Sequence, residues 1–190
     1  MSANDVSPRI LMVVGLMTAL MCVSAFVRIP VPPVAITLQS VVVLLSGLVL
    51  GPQLGPLAQG IYLALGLIGL PVFSQGGGLG YIFQPSFGYL LGFVPAAWFI
   101  GHGVHGLKTA STKRLLILAI GAHLLIYAIG LPYLYLALRY FMGTPVEFLP
   151  LVYSGCLLFL PGDFLKSAFF VVIAKRLTNN HTLTTFRESC

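Results

Sequence analysis

From Ile29 to Leu107 the chain runs for 79 residues without one Asp, Glu, Lys or Arg. Soluble domains carry about 25% charged residues, whereas this 190-residue chain carries 7% and is 58% hydrophobic. No water-soluble globule of this size covers its surface with so few charges. The expected fold class is therefore all-α: a polytopic membrane protein forming one integral membrane domain over residues 1–190, a bundle of six transmembrane helices.

Apolar periods and their interruptions place the spans at about 10–27, 36–50, 54–70, 84–100, 115–138 and 148–174. The first exceeds a signal-peptide core and is followed by more membrane-like sequence, so it reads as a span. Gly15 and Ala19, four residues apart within it, leave a smooth side for close contact with a partner helix. Arg28-Ile-Pro-Val-Pro-Pro33 follows, and its three prolines forbid helix and favour an extended segment, either a linker or a lid over a pocket mouth. The second and third spans meet at Gly51-Pro52 and are short for a bilayer. Trp98, the single tryptophan, falls near the end of the fourth span, where interface belts prefer it.

The sixth apolar stretch contains Leu160-Pro-Gly-Asp-Phe-Leu-Lys166. Asp163 and Lys166 are three residues apart, so on a helix they share one face. Each charge alone costs roughly 2.5–3.5 kcal/mol at a membrane centre on insertion scales. The same stripe carries Cys156, Phe159 and Phe170 around the ion pair. Pro161 deprives the Leu157 carbonyl of its helical partner. A polar pair beside a disturbed helix suits a small-molecule site between helices; a pair that merely neutralises itself and locks helix packing is the plainer reading.

Other classes find less support. Gly76-Gly-Gly-Leu-Gly80 lacks the Lys-Ser or Lys-Thr of a phosphate-binding loop, so no ATP hydrolysis by this chain is expected. An intramembrane enzyme would need a nucleophile elbow, a His-Glu-x-x-His or a second buried carboxylate, and none occurs. His102 and His105 lack a third metal ligand and read as interfacial residues, so no metal site is expected. His123, alone in the fifth span, reads as a packing hydrogen-bonder. Three cysteines make no disulfide framework. The net charge of +6 is scattered over span ends rather than clustered, so nucleic acid is not an expected partner; membrane lipids are.

With the N-terminus in the cytoplasm, Arg9, Lys108, Lys113, Arg114, Lys175, Arg176 and Arg187 fall inside. Only Arg28 and Arg139 fall outside, a clear positive-inside bias. Both termini are thus expected to be cytoplasmic, in a bacterial inner membrane. On that side the Asn180-His-Thr182 glycosylation pattern would go unused. Gly-Leu-Pro at 69–71 and 130–132 is too short to establish a repeat.

Several segments, in order, carry a family resemblance: Ile29-Pro-Val-Pro32 with Thr37-Leu-Gln39, Gly47-Leu-Val-Leu-Gly-Pro52, Tyr62 to Phe73, Gly88-Tyr-Leu-Leu-Gly-Phe93 and Pro161-Gly-Asp-Phe-Leu-Lys166. Together they resemble the BioY family, the biotin-specific substrate-binding (S) components of energy-coupling factor transporters. Two segments depart from the family pattern. Gln84-Pro-Ser-Phe-Gly-Tyr89 stands where a Gly-Pro-Thr-Gly-Gly-Tyr type segment is usual, and Gly15, Ala19 and Val23 stand where alanines at four-residue spacing are frequent.

The resemblance implies a six-helix bundle that binds biotin near its outer face, needs no cofactor of its own, and works with a transmembrane coupling subunit and an ATPase pair. It implies that Asp163 accepts a ureido N–H. Lys166 would meet either the carboxylate or the ureido carbonyl, and Gln84 would supply both donor and acceptor. Phe73, Phe159, Tyr89 and Tyr81 are candidate walls for the fused ring, and Gln39 and Thr37 are candidates to line the lid. A stand-alone proton-coupled transporter and an S component for another vitamin remain alternatives.

Overall fold

A computed structural model describes residues 8–105, 111–144 and 147–179. Lys108, Arg187, Cys190 and the Asn180–Thr182 pattern lie outside them. In chain order the elements are α1 (Pro8–Phe26), a two-stranded ribbon of β1 (Arg28–Ile29) and β2 (Ile36–Thr37), α2 (Gln39–Leu67), α3 (Phe87–Gly103), α4 (Thr112–Leu136), α5 (Phe148–Gly155) and α6 (Leu160–Asn179). The fold is mostly helical. Among the described residues, four segments are long and apolar enough to cross a membrane by length and composition: Pro8–Phe26, Gln39–Leu67, Thr112–Phe141 and Leu149–Thr178. Their outward side chains are apolar too: Leu11, Leu16 and Val23 on α1 and Phe164, Leu165 and Phe169 on α6 are all exposed. That pattern suits a hydrocarbon solvent and no other.

α2 is not a straight rod. Gly51 leaves the helical conformation at φ 76°, ψ −169°, a region open essentially to glycine alone. Pro52 then restarts the helix with its ring-fixed φ, in the first turn where a missing N–H goes unnoticed. In a straight helix Gln39 and Tyr62 would lie about 34 Å apart at ~1.5 Å per residue; here Gln39 Nε2 donates to the Tyr62 hydroxyl at 2.7 Å. Gln59 Nε2 likewise donates to Ser46 Oγ at 2.7 Å. The two arms therefore fold back side by side from Gly51. α3 closes on this turn through Gly101, where an added Cβ would sit 2.5 Å from the Gly51 carbonyl carbon. On the other side α1 is tied to the second arm by the Thr18 hydroxyl, which lies 3.2 Å from the Ala58 carbonyl oxygen.

Four sequence expectations need correction. Ile36 and Thr37 do not begin the second span but pair antiparallel with Ile29 and Arg28 in the ribbon; Pro30, Pro32 and Pro33 keep the intervening chain out of a helix, and instead of running extended it reverses through a turn at Pro32 and Pro33. The fourth helix starts at Phe87 rather than Gln84, behind a 3-10 turn over Leu79–Phe83. The loop expected from Arg139 begins instead as a π-helical turn, Ala137–Phe141, continuing α4. The sixth span is not one helix: α5 ends at Gly155, Cys156 adopts φ −135°, ψ −63°, and a 3-10 turn, Leu157–Phe159, leads into α6.

The break therefore precedes Pro161, which occupies the first turn of α6 where proline is tolerated. The Leu157 carbonyl, expected to lack a partner, accepts from the Leu160 N–H. Tyr89 of α3 donates to the Gly155 carbonyl at 2.8 Å, satisfying an acceptor left over at the end of α5.

Candidate site: a buried ion pair at the floor of a cleft

Restarting the helix at Leu160 puts Asp163 in the first turn of α6, where the N–H groups and helix dipole favour an anion. Lys166, one turn later, places its Nζ 2.6 Å from Asp163 Oδ1, and both side chains are largely buried. Lys166 Nζ also donates to the Thr37 carbonyl at 3.3 Å and to Ser40 Oγ at 3.1 Å. An ammonium has three hydrogens, so all of them are engaged. On the opposite side of Asp163, α4 contributes Tyr127 and His123, four residues apart on one face. The Tyr127 hydroxyl donates to Asp163 Oδ2. His123 Nδ1 lies 2.8 Å from the Ala119 carbonyl oxygen, and its Nε2 faces Asp163 Oδ1 at 3.6 Å.

Above this cluster opens a cleft lined by residues of β2, α2, α3, α4, α6 and the loops between them. Its lining is mixed. Tyr89, Leu90, Phe93, Ile126 and Phe159 contribute apolar surface, while Thr37, Gln39, Ser40, Ser74 and Ser86 supply hydroxyl and amide groups. Mostly apolar walls with a few placed polar groups are the usual make-up of small-molecule sites.

Six of the nine ligand-contact candidates named from sequence line this cleft: Asp163, Lys166, Tyr89, Phe159, Gln39 and Thr37. Three do not. Phe73 is fully buried, packed against the rings of Tyr62 and Tyr81, and serves as core. Tyr81 is a brace rather than a wall: its hydroxyl lies 3.2 Å from Ser74 Oγ and 3.1 Å from Ser86 Oγ, bridging two cleft serines. Gln84 precedes α3, where its backbone carbonyl accepts from Phe87 N–H; its side chain is not among the cleft-lining groups. Gly15 and Ala19 face outward on α1, and a Cβ on Gly15 would meet nothing within 4 Å.

Ser40, Ser74, Ser86, His123 and Tyr127 were not among the sequence-derived contacts. His123 and Tyr127 carried a usable signal, two polar side chains four apart in an apolar span. The serines carried none: Ser40 is a lone hydroxyl in an apolar helix, which commonly bonds its own backbone, and Ser74 and Ser86 sit in turns, where serine is ordinary.

The family model for BioY matches residues 1–182. The chain belongs to the BioY family. Among its relatives is a probable biotin transporter BioY of Lysinibacillus sphaericus, 38% identical over 167 residues that cover 88% of this chain and 85% of the relative. Another, the probable biotin transporter BioY of Pyrococcus horikoshii, is 39% identical over 181 residues covering 95% and 99%. The backbone is similar to the crystal structure of the S-component for biotin from an ECF-type ABC transporter, with a TM-score of 0.83 at 28% identity over 98% of this chain and 99% of that one. BioY relatives are transporters, and the cleft is the kind of feature such a protein needs. No metal-ligand cluster of three or more His, Cys, Asp or Glu occurs among the described residues.

Proposed function

We propose that this chain is the biotin-binding subunit of a vitamin uptake transporter, embedded in the inner membrane and driven by a separate coupling subunit and ATPases. The observation that carries the reading is the buried Asp163–Lys166 pair in a cleft that offers both apolar and uncharged polar groups, in a chain of the BioY family. Biotin presents two ureido N–H donors, a carbonyl, an apolar fused ring with sulfur, and a carboxylate tail. Asp163 accepts from Lys166 and Tyr127 and retains lone pairs for a ureido N–H. Tyr89, Phe93 and Phe159 give the ring apolar surface. A buried polar group of the ligand left unpaired would cost about 1–3 kcal/mol, which is why the polar groups of the cleft matter.

The proposed topology has six crossings. α1, α3 and α4 give one each, the arms of α2 give two, and α5 with α6 gives the sixth. The fold-back at Gly51 and the break at Cys156 support that count. With Arg9, Lys113, Arg114, Lys175 and Arg176 on the cytoplasmic side, the cleft mouth near the ribbon faces outward. The exposed face of α1 with Gly15 and Ala19 is the proposed contact with the coupling subunit.

Equilibrium biotin binding to the detergent-purified chain, wild type beside Asp163→Asn, tests the reading. Tight binding that falls by about tenfold or more in the variant is expected, as for loss of a charge-assisted hydrogen bond. Absence of binding by folded wild type, or displacement by thiamine or riboflavin instead of biotin, would overturn it.

A further inference from the structure

The one carboxylate lining the cleft is already paired with its one ammonium before any ligand enters. Lys166 is the only Lys or Arg among its lining residues, and all three of its hydrogens point at Asp163, the Thr37 carbonyl and Ser40. A carboxylate drawn to Lys166 would have to displace one of these partners and would then lie beside the Asp163 carboxylate. Like charges at that range in a low-dielectric site repel strongly. An anionic tail therefore needs another cation.

One stands beside the cleft, outside its lining residues. Arg28 is exposed and pairs directly across the ribbon with Thr37, whose carbonyl holds Lys166. The Arg28 guanidinium donates through one terminal nitrogen to the backbone carbonyl of Ser74, a second cleft-lining residue. It is thereby held between two cleft residues on different segments, while its remaining N–H groups have no acceptor among the described residues. A guanidinium suits a carboxylate better than an ammonium does, because its fork of donors fits both oxygens. Arg139, which packs near the same end through the Phe83–Phe141 contact, is turned elsewhere: its guanidinium sits on the Tyr135 hydroxyl and over the Tyr135 and Tyr140 rings.

We propose that Arg28 receives the carboxylate of the ligand's tail, leaving the Asp163–Lys166 pair to read the ureido ring. This rests on the biotin reading above. It divides recognition in two: a buried polar cluster selects the ring, and a cation beside the cleft selects the acid over neutral or amide-capped forms.

The test compares biotin with biotinamide, its neutral primary amide, on the full-length purified chain at low and high ionic strength. Wild type is expected to prefer biotin by about five- to tenfold at low salt, in line with a partly exposed charge-assisted contact, with the ratio shrinking as salt screens Arg28. Arg28→Gln should lower biotin affinity to the biotinamide level and leave biotinamide within about twofold of wild type; Arg28→Lys should keep part of the preference. Two outcomes overturn the assignment. Equal affinity of wild type for both ligands would show that no cation reads the tail. Equal weakening of both ligands by Arg28→Gln would show that Arg28 acts only by tying the Ser74 loop to the ribbon. Failure of wild type to bind either ligand would instead sink the biotin reading itself, and this assignment with it.

Discussion

Lys166 Nζ and Asp163 Oδ1 lie 2.6 Å apart, one turn from each other on α6, in a segment that crosses the apolar part of the molecule. Their pairing makes both charges tolerable there. Around them sit Tyr127, His123, Ser40 and the Thr37 carbonyl, drawn from α4, α2 and the ribbon. The pair therefore joins three parts of the fold while presenting one carboxylate to the cleft.

Removing one member of such a pair strands the other. Lys166→Ala and Asp163→Asn are each expected to lower stability, by up to about 3–5 kcal/mol, and to weaken biotin binding by about tenfold or more. The double variant Asp163→Asn/Lys166→Met should recover most of the stability and none of the binding. Thermal unfolding in detergent alongside equilibrium binding separates the two effects. Near-normal affinity in both single variants would leave the pair a structural role alone.

Tyr127→Phe deletes the hydroxyl that donates to Asp163 Oδ2 and keeps the ring. Hydrogen bonds to charged groups contribute about 1.5–3 kcal/mol, so a lower melting temperature is expected. Biotin affinity should fall as well, because the carboxylate it helps to aim is loosened. Unchanged binding would mean that Lys166 alone positions Asp163.

Tyr89→Phe makes a contrasting case. Its hydroxyl caps the Gly155 carbonyl at the break between α5 and α6, while its ring lines the cleft. Losing the hydroxyl should destabilise by about 1–3 kcal/mol through an unsatisfied buried acceptor, with biotin affinity changing less than about threefold, or under ~0.7 kcal/mol. A large loss of affinity at normal stability would place the hydroxyl itself on the ligand.

Gly51→Ala tests the fold-back. A Cβ there meets no atom within 4 Å, so any effect comes from forcing a side chain into φ 76°, ψ −169°. A destabilisation of about 1–3 kcal/mol is expected, read as a lower melting temperature, with residual folded protein still binding biotin. No change in melting temperature would show that the turn accepts another backbone conformation.

Much of this molecule is written in one dimension. Seventy-nine residues without a charge admit only a membrane fold, because the hydrophobic effect and the cost of burying charge act on composition before any contact forms. Asp163 and Lys166 could be recognised as a pair because three-residue spacing on a helix is a local geometry. Gly51-Pro52 could be placed as a boundary for the same reason. Those features depend only on near neighbours in the chain.

What the tertiary structure decided is which side chains meet across elements. Phe73 and Tyr81 match a ring-binding wall by residue type, yet both turn into the core, where Tyr81 braces two serines. Tyr127 and His123 come to Asp163 from a helix some forty residues away in sequence, and Thr37 and Ser40 come to Lys166 from still farther. The break at Cys156, rather than at Pro161, depends on Tyr89 of another helix standing ready to donate to the last carbonyl of α5. Contacts of this kind are set by how helices pack and by where each unpaired donor finds an acceptor. No local pattern carries that information, because the partner is chosen only when the chain folds.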